Sequence, residues 1–94
     1  MLSPKNRQHL KQIAHAQKPV IHVGKKGFSS ALSIEVEAAL LTHELIKIKF
    51  LESASSEQDK LIDQLCNATE SELVECKGHI ATLYKAHPEK PRLL

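Results

Sequence analysis

The chain has 94 residues, 41% hydrophobic and 26% charged, enough for one domain with a modest core and too apolar for a disordered segment. Aromatic residues make up only 3%, with no Trp, which counts against recognition by stacking several bases on aromatic platforms. The net charge of +2 conceals a strong segregation. Residues 1–34 carry Lys5, Arg7, Lys11, Lys18, Lys25 and Lys26 and no acid, whereas residues 35–76 hold ten of the eleven acids. Such a division creates a local positive field suited to a polyanion.

Taken in order, Ser3-Pro4 predicts a helix start, Ser as N-cap and Pro at the first helical position. Leu10, Ile13, Ala14 and Gln17 share a stripe, and Arg7, Lys11 and Lys18 fall together on another side. Lys18-Pro19 should end this helix, because the residue before proline is driven out of the α region. The β-branched run Val20–Val23 predicts a short strand. Gly24-Lys25-Lys26-Gly27 follows, then a second helix over about Ser30–Thr42 with Leu32, Val36, Ala39 and Leu40 inward.

Leu45–Phe50 alternates, which puts Ile46, Ile48 and Phe50 on one face of a strand and Lys47 and Lys49 on the other, pointing away from the helical layer. Ser55 and Gln58 predict a capping box before a third helix whose Leu61, Ile62, Leu65 and Cys66 face inward. Ser71–Cys76 and His79–Lys85 read as two strands joined by a tight turn at Lys77-Gly78. The tail, residues 87–94 with Pro88 and Pro91, is expected to be loose or packed along the surface. The predicted order is α-β-α-β-α-β-β: a single two-layer α/β domain over residues 1–86, with a four-stranded mixed sheet and helices packed against it.

Catalytic and metal patterns are missing from the sequence. The six histidines make no His-x-x-x-His or His-Glu-x-x-His pair, and Cys66 and Cys76, in no Cys-x-x-Cys arrangement, read as two buried thiols. Gly24–Gly27 is too short for a Walker-type phosphate loop and has no following Lys-Ser/Thr. No metal, cofactor or enzymatic activity is therefore expected. No apolar run approaches the roughly 20 residues of a membrane span, and the first residues lack a signal-peptide core, so a cytoplasmic protein is expected. A Gly-x-x-Gly loop with two interior lysines before a helix start fits a phosphate-bearing partner. KH modules clamp a nucleic-acid backbone with such a loop, but place it between two helices, whereas a strand precedes it here.

Several of these segments together resemble the CRM domain family (chloroplast RNA splicing and ribosome maturation), in its bacterial stand-alone, YhbY-like form. They are Leu2-Ser3 opening a basic helix, Lys18-Pro19-Val20 entering a strand, the Gly24–Gly27 loop, His43-Glu44-Leu45-Ile46-Lys47-Ile48-Lys49, and Leu83-Tyr84-Lys85, where Lys replaces the family's Arg. The resemblance runs over residues 2–86. It implies a fold similar to the C-terminal domain of translation initiation factor three and binding to ribosomal RNA of the large-subunit precursor during ribosome assembly. The family's loop maps onto Gly24, Lys25, Lys26 and Gly27. Beside it, Arg7, Lys11 and Lys18 are expected to extend the RNA track, with Lys47, Lys49 and Lys85 contributing from the sheet of a monomer. The competing expectation is a protein-interaction module of the translation apparatus that uses the helical face and the acidic middle of the chain.

Overall fold

The first helix, α1 (Pro4–Ala14), starts where the sequence places it: the Ser3 hydroxyl accepts the Asn6 N–H at 3.1 Å, with Pro4 in the first turn. The computed structural model describes residues 2–94; the expected domain start, Met1, lies outside them. After α1 come β1 (Ile21–Val23), α2 (Ser30–His43), β2 (Leu45–Phe50), a 3-10 turn (Glu52–Glu57), α3 (Gln58–Thr69), β3 (Glu72–Lys77) and β4 (Ile80–Tyr84). The sheet order is β1-β2-β4-β3, with β1 parallel to β2 and the other pairs antiparallel. This is the expected mixed sheet.

Its helices are distributed differently from the expected two layers. Alternation along β2 sends Ile46, Ile48 and Phe50 into the main core, with Val36 and Leu40 of α2 and Leu61 and Leu65 of α3. The opposite face is not bare. Leu45, Val74 and Tyr84 are covered there by Leu10 and Ala14 of α1, with Leu2, Ile13 and Leu93 at the margin. α1 therefore forms a partial third layer over one end of the sheet, because an amphipathic helix must bury its stripe and the first face is already filled.

Three further expectations give way to tertiary contacts. α1 stops at Ala14, well before Pro19; the Gln17 N–H closes a turn on the Ala14 carbonyl at 2.9 Å, and Lys47 Nζ donates to the Gln17 carbonyl at 3.2 Å. The chain needs these non-helical residues to travel from the covered face to the edge position of β1. The capping box does not form: Ser55 Oγ donates to the Glu52 carbonyl in the 3-10 turn, and Gln58 Nε2 donates to the Gly78 carbonyl at 2.8 Å. Gln58 Oε1 meets His79 Nδ1 at 3.1 Å, so this side chain fastens the β3–β4 turn to α3. The thiols differ as well, Cys66 being half-buried and Cys76 exposed, and both are free. Burial pushes the Cys66 thiol pKa up.

The tail is fastened by Glu44, which joins α2 to β2. Glu44 is fully buried at a positive φ of 63°. Its carboxylate accepts the His87 N–H at 3.0 Å, the Arg92 N–H at 2.8 Å and Arg92 Nε at 3.4 Å. Arg92 also donates to the Thr42 carbonyl at 2.7 Å, near the C-terminal end of α2. The radius of gyration, 12.4 Å, matches the roughly 12 Å of one compact body of this length, with the tail folded back.

Candidate nucleic-acid interface

The Gly24–Gly27 loop leaves β1 at the end of the sheet. The Gly27 N–H donates to the Gly24 carbonyl at 3.0 Å, closing a tight turn, and Gly27 sits at φ +64°, where a side chain is strained. Gly24 is less constrained, since an added Cβ would lie 3.4 Å from the Leu51 side chain, an ordinary contact. The turn presents Lys25 and Lys26 to solvent. Ser29 then caps α2, its hydroxyl accepting the Leu32 N–H at 3.0 Å. The amides of Gly27 and Leu32 are thus already used, and the ammonium groups of Lys25 and Lys26 bring full charges to an anion.

Strand register carries that charge onto the sheet. On the face shared with α1, His22 of β1 pairs with Lys49 of β2, Lys49 with Ile80 of β4, and Ile80 with Lys77 of β3. His22, Lys49 and Lys77 are all exposed, and no acid lies in this row. The next row holds Lys47, Thr82 and Glu75. Beyond it comes Leu45 with Tyr84, the row that α1 covers. Between α1 and the open rows lies a cleft of about 260 Å³ whose lining includes Lys11, His15, Lys47 and Lys77, with Glu75 as its acid. His22 also lines the shallow hollow beside the loop, with Lys25, Lys26 and one acid, Glu35, and so links loop and sheet in one surface.

The predicted residues therefore divide. Lys25, Lys26, Lys47, Lys49 and Lys11 lie along this surface. Arg7 is engaged elsewhere: its guanidinium donates to the carbonyls of Leu73 and Val74, where β3 carries a register irregularity between Leu73 and Glu75. It holds an irregular edge strand to α1. Lys18 lies beyond the helix end, in a separate hollow with Val20 and His43. Lys85 pairs with Glu37 of α2 at 2.8 Å, away from the open rows.

Sequence reasoning missed His15, His22 and Lys77. The alternation of Ile21, His22 and Val23 carries a signal for His22, but Lys77 joins the row only through the pairing of β3 with β4. The open rows contain no Phe, Tyr or Trp, and His22 is their one ring; Tyr84 and Phe50 are buried, and Phe28 stands beside the loop at 38% exposure. This surface can hold phosphates but offers no platform for stacking a series of bases. Among the described residues no group of three His, Cys, Asp or Glu side chains is placed to hold a metal. No helix among them is long and apolar enough to cross a membrane.

Comparison with known proteins agrees with this architecture. The chain is 34% identical, over 94% of its length and 85% of the other, to a Pseudomonas aeruginosa protein that bears the name Probable RNA-binding protein. It is 35% identical, over 94% of its length and 89% of the other, to an RNA-binding protein of Haemophilus influenzae. The solution structure of a hypothetical protein from Staphylococcus aureus superimposes with a TM-score of 0.79 at 29% identity, covering 100% of both chains. The model of the CRS1 / YhbY (CRM) domain matches residues 2–85, spanning every helix and strand described above, and the chain belongs to that family.

Proposed function

We propose that this protein is a non-enzymatic RNA-binding protein that grips an RNA backbone along the basic surface running from the Gly24–Gly27 loop across the open half of the sheet. The observation that carries this reading is the run of basic side chains: Lys25 and Lys26 at the turn, Lys49 and Lys77 in the cross-strand row that His22 joins to it, then Lys47 and Lys11. Lysines on a face without Phe, Tyr or Trp favour phosphate contacts, which position RNA without reading its sequence. Selectivity then comes from the shape of a folded RNA or from a neighbouring protein. The RNA-binding names of the two relatives support the ligand class. The CRM resemblance supports ribosomal RNA of the large-subunit precursor as the target and ribosome assembly as the setting.

The test is a salt titration of binding to a ribosomal RNA fragment. Replacing Lys25 and Lys26 together by Ala should weaken binding and lower the slope of log K against log salt by about 1.4, at roughly 0.7 per contact on single strands. The pair Lys49→Ala and Lys77→Ala should do the same. Lys85→Ala, which removes a lysine already paired with Glu37, should leave the slope unchanged. Wild-type slopes in both double variants would remove the surface from RNA binding. Crosslinking in cells, with the contacted nucleotides mapped, tests the ribosomal target separately.

A further inference from the structure

α2 is apolar on two opposite sides. Leu32, Val36 and Leu40 fill the core, yet Ile34 and Leu41 stand 69% and 52% exposed. With Ala38, also exposed, they occupy i, i+4 and i+7, one stripe on the outer side of the helix. A helix that merely closed a core would be polar there. At one end of the stripe, between α2 and the tail, lies a pit of about 140 Å³ walled chiefly by Leu40, Leu41, Ala86 and Pro88. That is close to the roughly 150 Å³ of an apolar cavity that takes up benzene, so it can accept one aliphatic or aromatic side chain.

Charge narrows the occupant. Glu35 and Glu37 flank the stripe, one on each side, Glu37 being already paired with Lys85 at 2.8 Å, and the rest of the helical layer exposes Glu52, Glu57, Asp59 and Asp63 against Lys60. A second copy of this chain would bring the same acids against these. A polypeptide with Lys or Arg around its apolar anchors would meet complementary charge. We infer that the outer stripe of α2 and its pit dock a basic amphipathic helix of a partner protein, in the helix-in-groove mode with anchors at i, i+4 and i+7. α2, with 14 residues, is about 21 Å long and matches some four turns of such a helix. The partner lies on the opposite side of the sheet from the row of Lys49 and Lys77, which stays accessible beside it, while Glu35 also lines the hollow of the Gly24–Gly27 loop. This inference does not rest on RNA binding.

The probe is a synthetic amphipathic helix of about 15 residues with three leucines at i, i+4 and i+7 and lysines around them, followed by fluorescence anisotropy. Its counterpart has glutamates in place of the lysines. The lysine peptide should bind the wild type, weaken as salt rises, and shift the amide resonances of Ala31–Leu41 and Ala86. Ile34→Glu with Leu41→Glu should weaken it at least tenfold, as should Ala38→Arg. Retained thermal stability and RNA affinity in these variants show that only the surface has changed. The proposal fails if the lysine peptide does not bind, if it binds the variants as well as the wild type, or if the glutamate peptide binds equally. It also fails if the wild type dimerises and the variants do not, which would give the stripe to a second copy.

Discussion

The two faces of the sheet are built from alternate residues of the same strands and end in opposite conditions. On one face Ile46, Ile48 and Phe50 are sealed beneath α2 and α3. On the other, α1 covers the row of Leu45 and Tyr84, Thr82 is buried in the next with Lys47 half-buried beside it, and Lys49 and Lys77 are exposed. The short α1 explains the difference: its buried stripe holds Leu10 and Ala14, enough to close one end of the sheet. What it leaves uncovered is then available for charge. An open sheet face is tolerated here because Lys49 and Lys77 are solvated and discourage edge or face association.

The sharpest break of this contrast is a pair of substitutions at adjacent positions in β2. Phe50→Ala, at 1% exposure, should cost about 3–5 kcal/mol in denaturant unfolding, through lost burial and a cavity. Lys49→Ala, its exposed neighbour, should change stability by less than about 0.5 kcal/mol. Comparable losses at both would mean that the lysine face is closed.

Glu44 extends the comparison to polar groups, since it is a buried charge whereas Lys49 and Lys77 are solvated. Glu44→Gln should cost about 1–3 kcal/mol, because the tail amides lose a charged acceptor. Burial of the Glu44 carboxyl raises its pKa, but the hydrogen bonds from the His87 and Arg92 amides and the Arg92 guanidinium outweigh that, so it lies below the ordinary 4.5. A carboxyl lowered on folding contributes stability that is complete above its unfolded pKa and is lost as pH falls through the folded value. Unfolding curves below pH 4.5 should therefore converge for wild type and Glu44→Gln, after differing most near neutrality. A constant gap across that range would contradict this account.

The smallest effect separates the two loop glycines. Gly27→Ala should destabilise by about 1–2 kcal/mol, because its φ of +64° disfavours any Cβ. Gly24→Ala should cost a few tenths to 1 kcal/mol at most, its Cβ finding only ordinary contacts. Equal costs would show that the turn is held by something other than the backbone conformation of Gly27.

The elements were legible wherever a signal is local. Ser3-Pro4 marked the start of α1, the alternation over Leu45–Phe50 marked β2, and Gly78, at φ +61°, marked the turn between β3 and β4. The loop lysines were legible for the same reason. Arg7, Lys18 and Lys85 were harder to place, since a basic residue on a predicted surface looks the same whether its partner is RNA, a strand carbonyl or a glutamate. Gln58 read as half of a capping box and instead bonds to the β3–β4 turn, because a side-chain amide takes whichever partner the fold brings within reach.

By itself, then, the sequence determined which residues alternate, where helices can begin, and that positive charge leads the chain while negative charge follows. Those are properties of neighbours along the backbone. Only the tertiary structure decided that α1 lies on the second face, that Glu44 is buried to hold the tail, and that His22, Lys49 and Lys77 stand in one row. Three successive strand pairings bring His22 and Lys77, more than fifty positions apart, into one row, and no local periodicity encodes which strand lies beside which.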